Sequence, residues 1–453
     1  MKSSANSGQP RAPKARLGLS PVLALIRGKG RACSALADQA VVSGGNVLMA
    51  VVVGRALGAR NLGLYALFFT AVVLANSVVD ATLSSSFTMR RPELRQGELS
   101  SYSAANLFLA ALLSLALALV VWGGVILVSA PEARVLIESG LLLAASAFTY
   151  LLREHLRRYA YADLRVQSAL TFDVLAYGVQ LLATALVFLN EDFGLSYIFA
   201  CITFGQGFAA AAALVIYRRE FRWVGFSCQN VVEDVLHLSR GVLAAQILFT
   251  IGLQMGPWLV TRQLGYAAAG SYSVAMTLSN LANPMLTGLA NAMLPAAAAA
   301  YQHGPAAVRR ALLHDVALLS VATAAICAVT IVFARNLLQT LFGNAYVDET
   351  LLVQLLTASF LTRSLDVGPY VGCWAMRRPD QNIVCNLVAI VLGGGFSLAL
   401  MPAYGVLGAG FGMLLANVAT VSLRWRGFLR LTQPDNRGQG AGRDAAPGWN
   451  APP

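Results

Sequence analysis

From Ser103 to Ser129, from Phe193 to Tyr217 and from Gln381 to Leu423 the chain carries no charged side chain. A helix crosses the hydrocarbon core of a bilayer with about 20 mostly apolar residues. Each of these runs is that long, and the last is long enough for two helices. Further uncharged runs cover 61–79, 241–261, 263–308 and 316–334. Backbone polar groups in lipid must be satisfied within the segment, so runs of this length can only be helices. Composition agrees: 12% of the 453 residues are charged, whereas soluble domains carry roughly 25%. Soluble, disordered and disulfide-stapled folds are excluded.

With weaker segments filling the gaps, the expected spans are 36–56, 61–84, 103–129, 134–152, 166–189, 193–217, 241–262, 268–297, 312–333, 350–375, 381–401 and 404–423. Pro402-Ala403-Tyr404-Gly405 is the turn that divides the last run. The expected fold is an all-α membrane protein of twelve transmembrane helices. With the N-terminus inside, one side holds 27 Lys+Arg. The opposite loops and helix ends hold 5, at Arg55, Arg60, Arg134, Arg262 and Arg335. By the positive-inside rule both termini are expected in the cytoplasm. The net charge of +12 then reflects topology, and no nucleic-acid partner is expected. Residues 1–34 read as a basic cytoplasmic tail and 431–453 as a flexible one.

The six cysteines are scattered, with no C-x-x-C, and read as small hydrophobes. No metal is expected. Neither a P-loop nor H-E-x-x-H is present, His occurs four times, and every outward loop is short. The chain is not expected to be an enzyme.

An internal repeat organises the spans. Residues 55–76, RALGARNLGLYALFFTAVVLAN, align with 262–283, RQLGYAAAGSYSVAMTLSNLAN, at nine identical positions of 22. Shared are Arg55/Arg262, Gly58/Gly265, Gly63/Gly270 and Tyr65/Tyr272, in the turn between the first two helices of each half. Six helices per half is an even number, so the halves (35–220 and 221–430) keep one orientation. They would enclose a central cavity, as in parallel-repeat transporters. Gly58 and Gly265 are expected to end one helix, and Gly63 and Gly270 to allow close packing of the next.

Polar groups inside the spans nominate the site. Ser273, Thr277, Asn280, Asn283, Thr287 and Asn291 fall within about a 120° stripe of one helix, with Pro284 among them. Asn46, Gln254 and Arg240 join them as candidate cavity residues. Asp38, Asp80, Asp173 and Asp366 are the intramembrane carboxylates and the candidates for ion coupling. Arg363 and Asp366, three apart on one helix, are expected to form an ion pair or to divide into an anion-binding cation and a titrating acid.

The string GRALGARNLGLYAL, then LGYAAAGSYSVA, MLP at 293–295, LFGNAYVDET at 341–350 and PAYGVLGAGFG at 402–412 occur in order. Together they resemble the polysaccharide flippases of the multidrug/oligosaccharidyl-lipid/polysaccharide (MOP) exporter superfamily, over about 35–425. That resemblance implies a V-shaped pair of six-helix bundles in a bacterial inner membrane. It implies outward flipping of undecaprenyl-diphosphate-linked oligosaccharide by alternating access, for exopolysaccharide, capsule or O-antigen assembly. Proton or sodium coupling without another cofactor, and a polymerase and glycosyltransferases as pathway partners, are further implications. The competing expectations are a multidrug cation antiporter, which needs cavity carboxylates without cavity arginines, and a non-transporting scaffold of a glycan assembly complex.

Overall fold

The computed structural model describes residues 31–128, 139–188, 193–223 and 227–433, and among them every regular element is a helix. Eight helical stretches are long and apolar enough on their own to cross a membrane. The first, Ser34–Glu93, has 60 residues, about 90 Å of helix or three bilayer cores. It cannot be one span. Gly58, at φ 79° and ψ 176°, breaks it into α1 (31–57) and α2 (59–93).

The others follow in order: α3 (Gln96–Val128), α4 (Gly140–Ala162), α5 (Val166–Val187), α6 (Leu195–Tyr217) and α7 (Arg240–Leu264). Then come α8 (266–301), α9 (Pro305–Val332), α10 (350–375), α11 (Pro379–Tyr404) and α12 (Val406–Leu431). Three of these fail a simple apolar test for identifiable reasons. α4 carries four charges in its second half, α8 is interrupted by a tight turn at Asn280–Ala282, and α10 is broken between Ser364 and Val367. With them the described residues form twelve membrane-length helices. The connecting helix Cys228–Leu238 joins the sixth to the seventh.

The duplicated turn has the same backbone in both copies. Gly265 ends α7 at φ 87° and ψ 177°, the conformation of Gly58, and a side chain is strained there. A Cβ on Gly63 would overlap the carbonyl of Tyr266, and one on Gly270 the carbonyl of Ala59. The close packing expected of these glycines is therefore between the two copies, each helix start seated on the other.

Around that contact a single hydrophobic core runs through both halves, with Met49, Leu62 and Phe68 on one side and Tyr272, Phe342 and Leu352 on the other. At the opposite end there are two separate cores. One, around Phe87, Tyr159 and Tyr217, belongs to α2–α6; the other, around Leu312, Val371 and Phe428, belongs to α8–α12. The molecule is thus two lobes joined at one end, here called the closed end, and divided at the other, the split end. Across the split end the lobes still touch where Ser239 Oγ donates to the Thr82 carbonyl at 3.1 Å.

The fourth span departs from expectation. The sequence places it over 134–152, of which 134–138 lie outside the described residues, but the helix continues to Ala162. The run Arg153-Glu154-His155-Leu156-Arg157 is buried, because its charges are neutralised by other helices instead of by water. Arg153, Arg157 and Arg424 are among the 27 Lys+Arg that the charge pattern assigns to the inner side. Their side chains are 1%, 7% and 2% exposed and report on packing, not on loops.

Candidate functional site

Between the lobes, toward the closed end, lies a cavity of about 290 Å³. Asn46 from α1, Thr70 from α2, Gln254 from α7, Asn280 and Asn283 from α8 and Arg363 from α10 line it. Ser273 and Thr277 complete the polar stripe on α8, and Tyr65 and Phe69 supply aromatic faces. Trp258 Nε1 donates to Thr70 Oγ1 at 2.8 Å, binding the lobes together on the cavity wall. The turn at Asn280–Ala282, immediately before Pro284, redirects α8 at the cavity, so the kink falls where the stripe anticipates it.

Of the candidate cavity residues, Asn46, Gln254, Ser273, Thr277, Asn280, Asn283 and Arg363 converge on this space, and Thr287 is not among its lining residues. The side chains of Arg240 and Asn291 lie outside the described residues. Of the repeat residues, Tyr65 faces the cavity, Tyr272 is buried in the shared core, and Arg262 is exposed. Arg55 Nη1 donates to the Thr340 carbonyl at 3.3 Å. Tyr346, from the LFGNAYVDET segment, donates to the Gly54 carbonyl at 3.0 Å. That segment therefore ties the second lobe across the end of α1.

Arg363 and Asp366 do not pair. α10 breaks between them, and the turn hands Asp366 to Arg424 of α12, whose Nη2 also donates to Asn386 Oδ1 at 2.7 Å. Arg363 instead stacks 5.3 Å from the Phe360 ring and reaches Asn283 Oδ1 at 3.5 Å. Among the described residues no carboxylate forms an ion pair with it. Nor does any Asp or Glu line the cavity.

The other candidate carboxylates are likewise engaged. Asp38 accepts from Arg157 and from Tyr161 at 2.6 Å, while Asp173 accepts from Arg153 and from Arg157 Nε at 2.7 Å. Glu154 accepts from Arg157 Nη1 at 2.8 Å and lies 3.8 Å from Arg158, which also meets Asp80, so four carboxylates share three guanidiniums inside the first lobe. Asp80, in a widened turn of α2, pairs with Arg158 at 3.2 Å. Sequence reasoning nominated Asp38 and Asp173 without their arginines. The usable signal was electrostatic: two carboxylates inside a membrane require cations nearby, and Arg153 and Arg157 follow the apolar part of α4 directly.

A protein-family model described as "Polysaccharide biosynthesis protein" matches residues 52–350. No curated protein matches the sequence. Among solved structures, the chain is similar to a multidrug resistance MATE family transporter of the MOP superfamily. In the inward-facing conformation the match has 15% identity and a TM-score of 0.70, covering 92% of this chain and 96% of that one. In the outward-facing conformation it has 14% identity and a TM-score of 0.68, covering 92% and 98%. A MOP superfamily transporter from Pyrococcus furiosus, described as having a binding pocket of reverse polarity, matches at 14% identity and a TM-score of 0.67, covering 91% and 96%. At these identities the likeness is one of fold.

Proposed function

Because the chain belongs to the polysaccharide biosynthesis protein family and has the fold of MOP-superfamily transporters, we propose that it flips a lipid-linked oligosaccharide across a membrane. One observation carries the choice of substrate: the central cavity contains a guanidinium, Arg363, and no carboxylate among its described lining residues. A diphosphate head group crossing about 30 Å of hydrocarbon needs such a cation, while its prenyl tail stays in lipid. Asparagine, glutamine, tyrosine and phenylalanine around Arg363 supply the hydrogen bonds and ring faces that sugars use. A cation antiporter, which the likeness to multidrug transporters also fits, would want the opposite charge in this space.

The proposed cycle opens the lobes alternately at the two ends. Ion coupling is proposed at the first-lobe cluster, where Asp38, Asp80, Glu154 and Asp173 exceed Arg153, Arg157 and Arg158 by one charge that a proton or sodium ion would balance. An inner-membrane location with both termini cytoplasmic, and a polymerase and glycosyltransferases acting on the same glycan, belong to the same proposal. The test is a reconstituted assay in which an undecaprenyl-diphosphate-linked sugar becomes accessible to a lectin on the far side of proteoliposomes. Wild type should flip, Arg363→Ala should not, and Arg363→Lys, which keeps charge without the fork, should retain part of the rate. Equal rates for Arg363→Ala and wild type would refute the reading.

A further inference from the structure

Each lobe has a small side pocket next to the central cavity, and the two are copies of one another. In the second lobe Tyr272, Met276, Phe360 and Asn417 line a pocket of about 60 Å³. In the first, Tyr65, Phe69, Tyr150 and Gln206 line one of about 10 Å³. Taken in order, each residue of the first set precedes its counterpart by 207 to 211 residues, the repeat offset with a small drift. One ancestral position has therefore diverged into two different contents.

The correspondence extends to the charge beside each pocket. Arg153 lies 5.3 Å from the ring of Tyr150, three residues before it, and Arg363 lies 5.3 Å from the ring of Phe360, also three before. From there the lobes part. Arg153 is held by Asp173 and donates to Gln206 at 2.8 Å. Asp173 is the eighth residue of α5. The eighth residue of α11 is Asn386, an amide already engaged by Arg424. With a carboxylate in one copy and an amide in the other, the second-lobe guanidinium has no ion pair among the described residues. Arg363 lines both its pocket and the cavity, whereas Arg153 lines neither.

Size separates the copies further. A single water needs about 10–15 Å³ of such space, so the first-lobe pocket is at the limit for one water. The second-lobe pocket is several times larger, the scale of a phosphoryl group. Its wall carries Ser359 and Asn417, with Asn417 Nδ2 donating to Ser359 Oγ at 2.7 Å, and also Tyr272, whose hydroxyl is buried with no hydrogen-bond partner among the described residues. We infer that the second-lobe pocket beside Arg363 seats a phosphoryl group of the transported ligand, and that its first-lobe duplicate, filled by its own side chains, does not. This rests on the anionic-substrate reading and adds where in the cavity the charge goes.

The experiment is calorimetric titration of the purified full chain with geranylgeranyl diphosphate, geranylgeraniol and inorganic pyrophosphate. Arg363→Ala removes the cation. Ser359→Leu fills the second-lobe pocket with Arg363 in place, and Val72→Leu adds bulk to the first-lobe one. The diphosphate should bind wild type and Val72→Leu alike, and should bind Arg363→Ala and Ser359→Leu roughly tenfold or more weakly. Ser279→Val, a milder filling of the same pocket, carries the test if Ser359→Leu melts early. Displacement by pyrophosphate supports a seat for phosphate itself; diphosphate binding without displacement supports one for phosphate presented on a lipid. A folded filling variant that binds like wild type, while Arg363→Ala does not, overturns the pocket and leaves the anionic reading standing. Equal binding of alcohol and diphosphate, or no binding by wild type, overturns both.

Discussion

Gly63 and Gly270, equivalent positions of the internal repeat, each press against the backbone of the other copy, at Tyr266 and at Ala59 respectively. The contact is reciprocal, and it lies within the only hydrophobic core that the lobes share among the described residues.

Adding one methyl group at either glycine must push the lobes apart at the closed end. Gly63→Ala and Gly270→Ala should each cost this conformation about 1–3 kcal/mol, the usual price of overpacking. Spin labels at positions 60 and 267, in a background without the native cysteines, should report longer distances in both variants. Unchanged distances would show that the contact does not hold the lobes together.

Gly58→Ala and Gly265→Ala act differently, because the backbone at both turns has positive φ. The expected loss is about 1–3 kcal/mol in each copy, without a shift toward the opposite state. Thermal melting of detergent-purified protein measures it. A loss at only one of the two sites would break the equivalence of the turns.

Tyr346 tests the tie across α1. Tyr346→Phe removes one hydrogen bond, worth about 0.5–1.5 kcal/mol, to the Gly54 carbonyl. If the tie holds the closed end shut, the variant should increase labelling of a cysteine introduced at Asn280 by a reagent supplied from that side. No change in labelling would make the tie incidental.

The buried pairs predict a contrast. Asp366→Ala should destabilise by about 3–5 kcal/mol, since it strands Arg424, and Asp366→Ala with Arg424→Ala should recover much of that loss. Arg363→Ala should leave melting near wild type, because no carboxylate among the described residues is ion-paired with it. An Arg363→Ala protein as unstable as Asp366→Ala would return Arg363 to a structural role.

Span order, the repeat and the polar stripe of α8 were legible because each is a local pattern: an apolar run, a 22-residue match, a helical period. Asn280 and Asn283 belong to the stripe itself, and Asn46 and Gln254 sit on α1 and α7, the helices that precede α2 and α8 in the two halves. Partner identity was not legible. Arg157 meets Asp38 across 119 residues and Arg424 meets Asp366 across 58, and neither separation has a period to detect. Spacing alone suggested Arg363 with Asp366, and a break in α10 separates them. The same limit hid the second half of α4, whose charges look solvated until the helices that neutralise them are in place.

The reciprocal contact of Gly63 with Tyr266 and of Gly270 with Ala59 lies inside the 22 residues over which the halves still match in sequence. A segment that is its own receptor drifts under a double constraint, since a change in either copy must suit a surface that was once identical to it. The closed end is in effect a homodimer interface enclosed in one polypeptide. Similarity has lasted there, while the pockets and charges a few turns away, which face a ligand or their own lobe, were free to diverge.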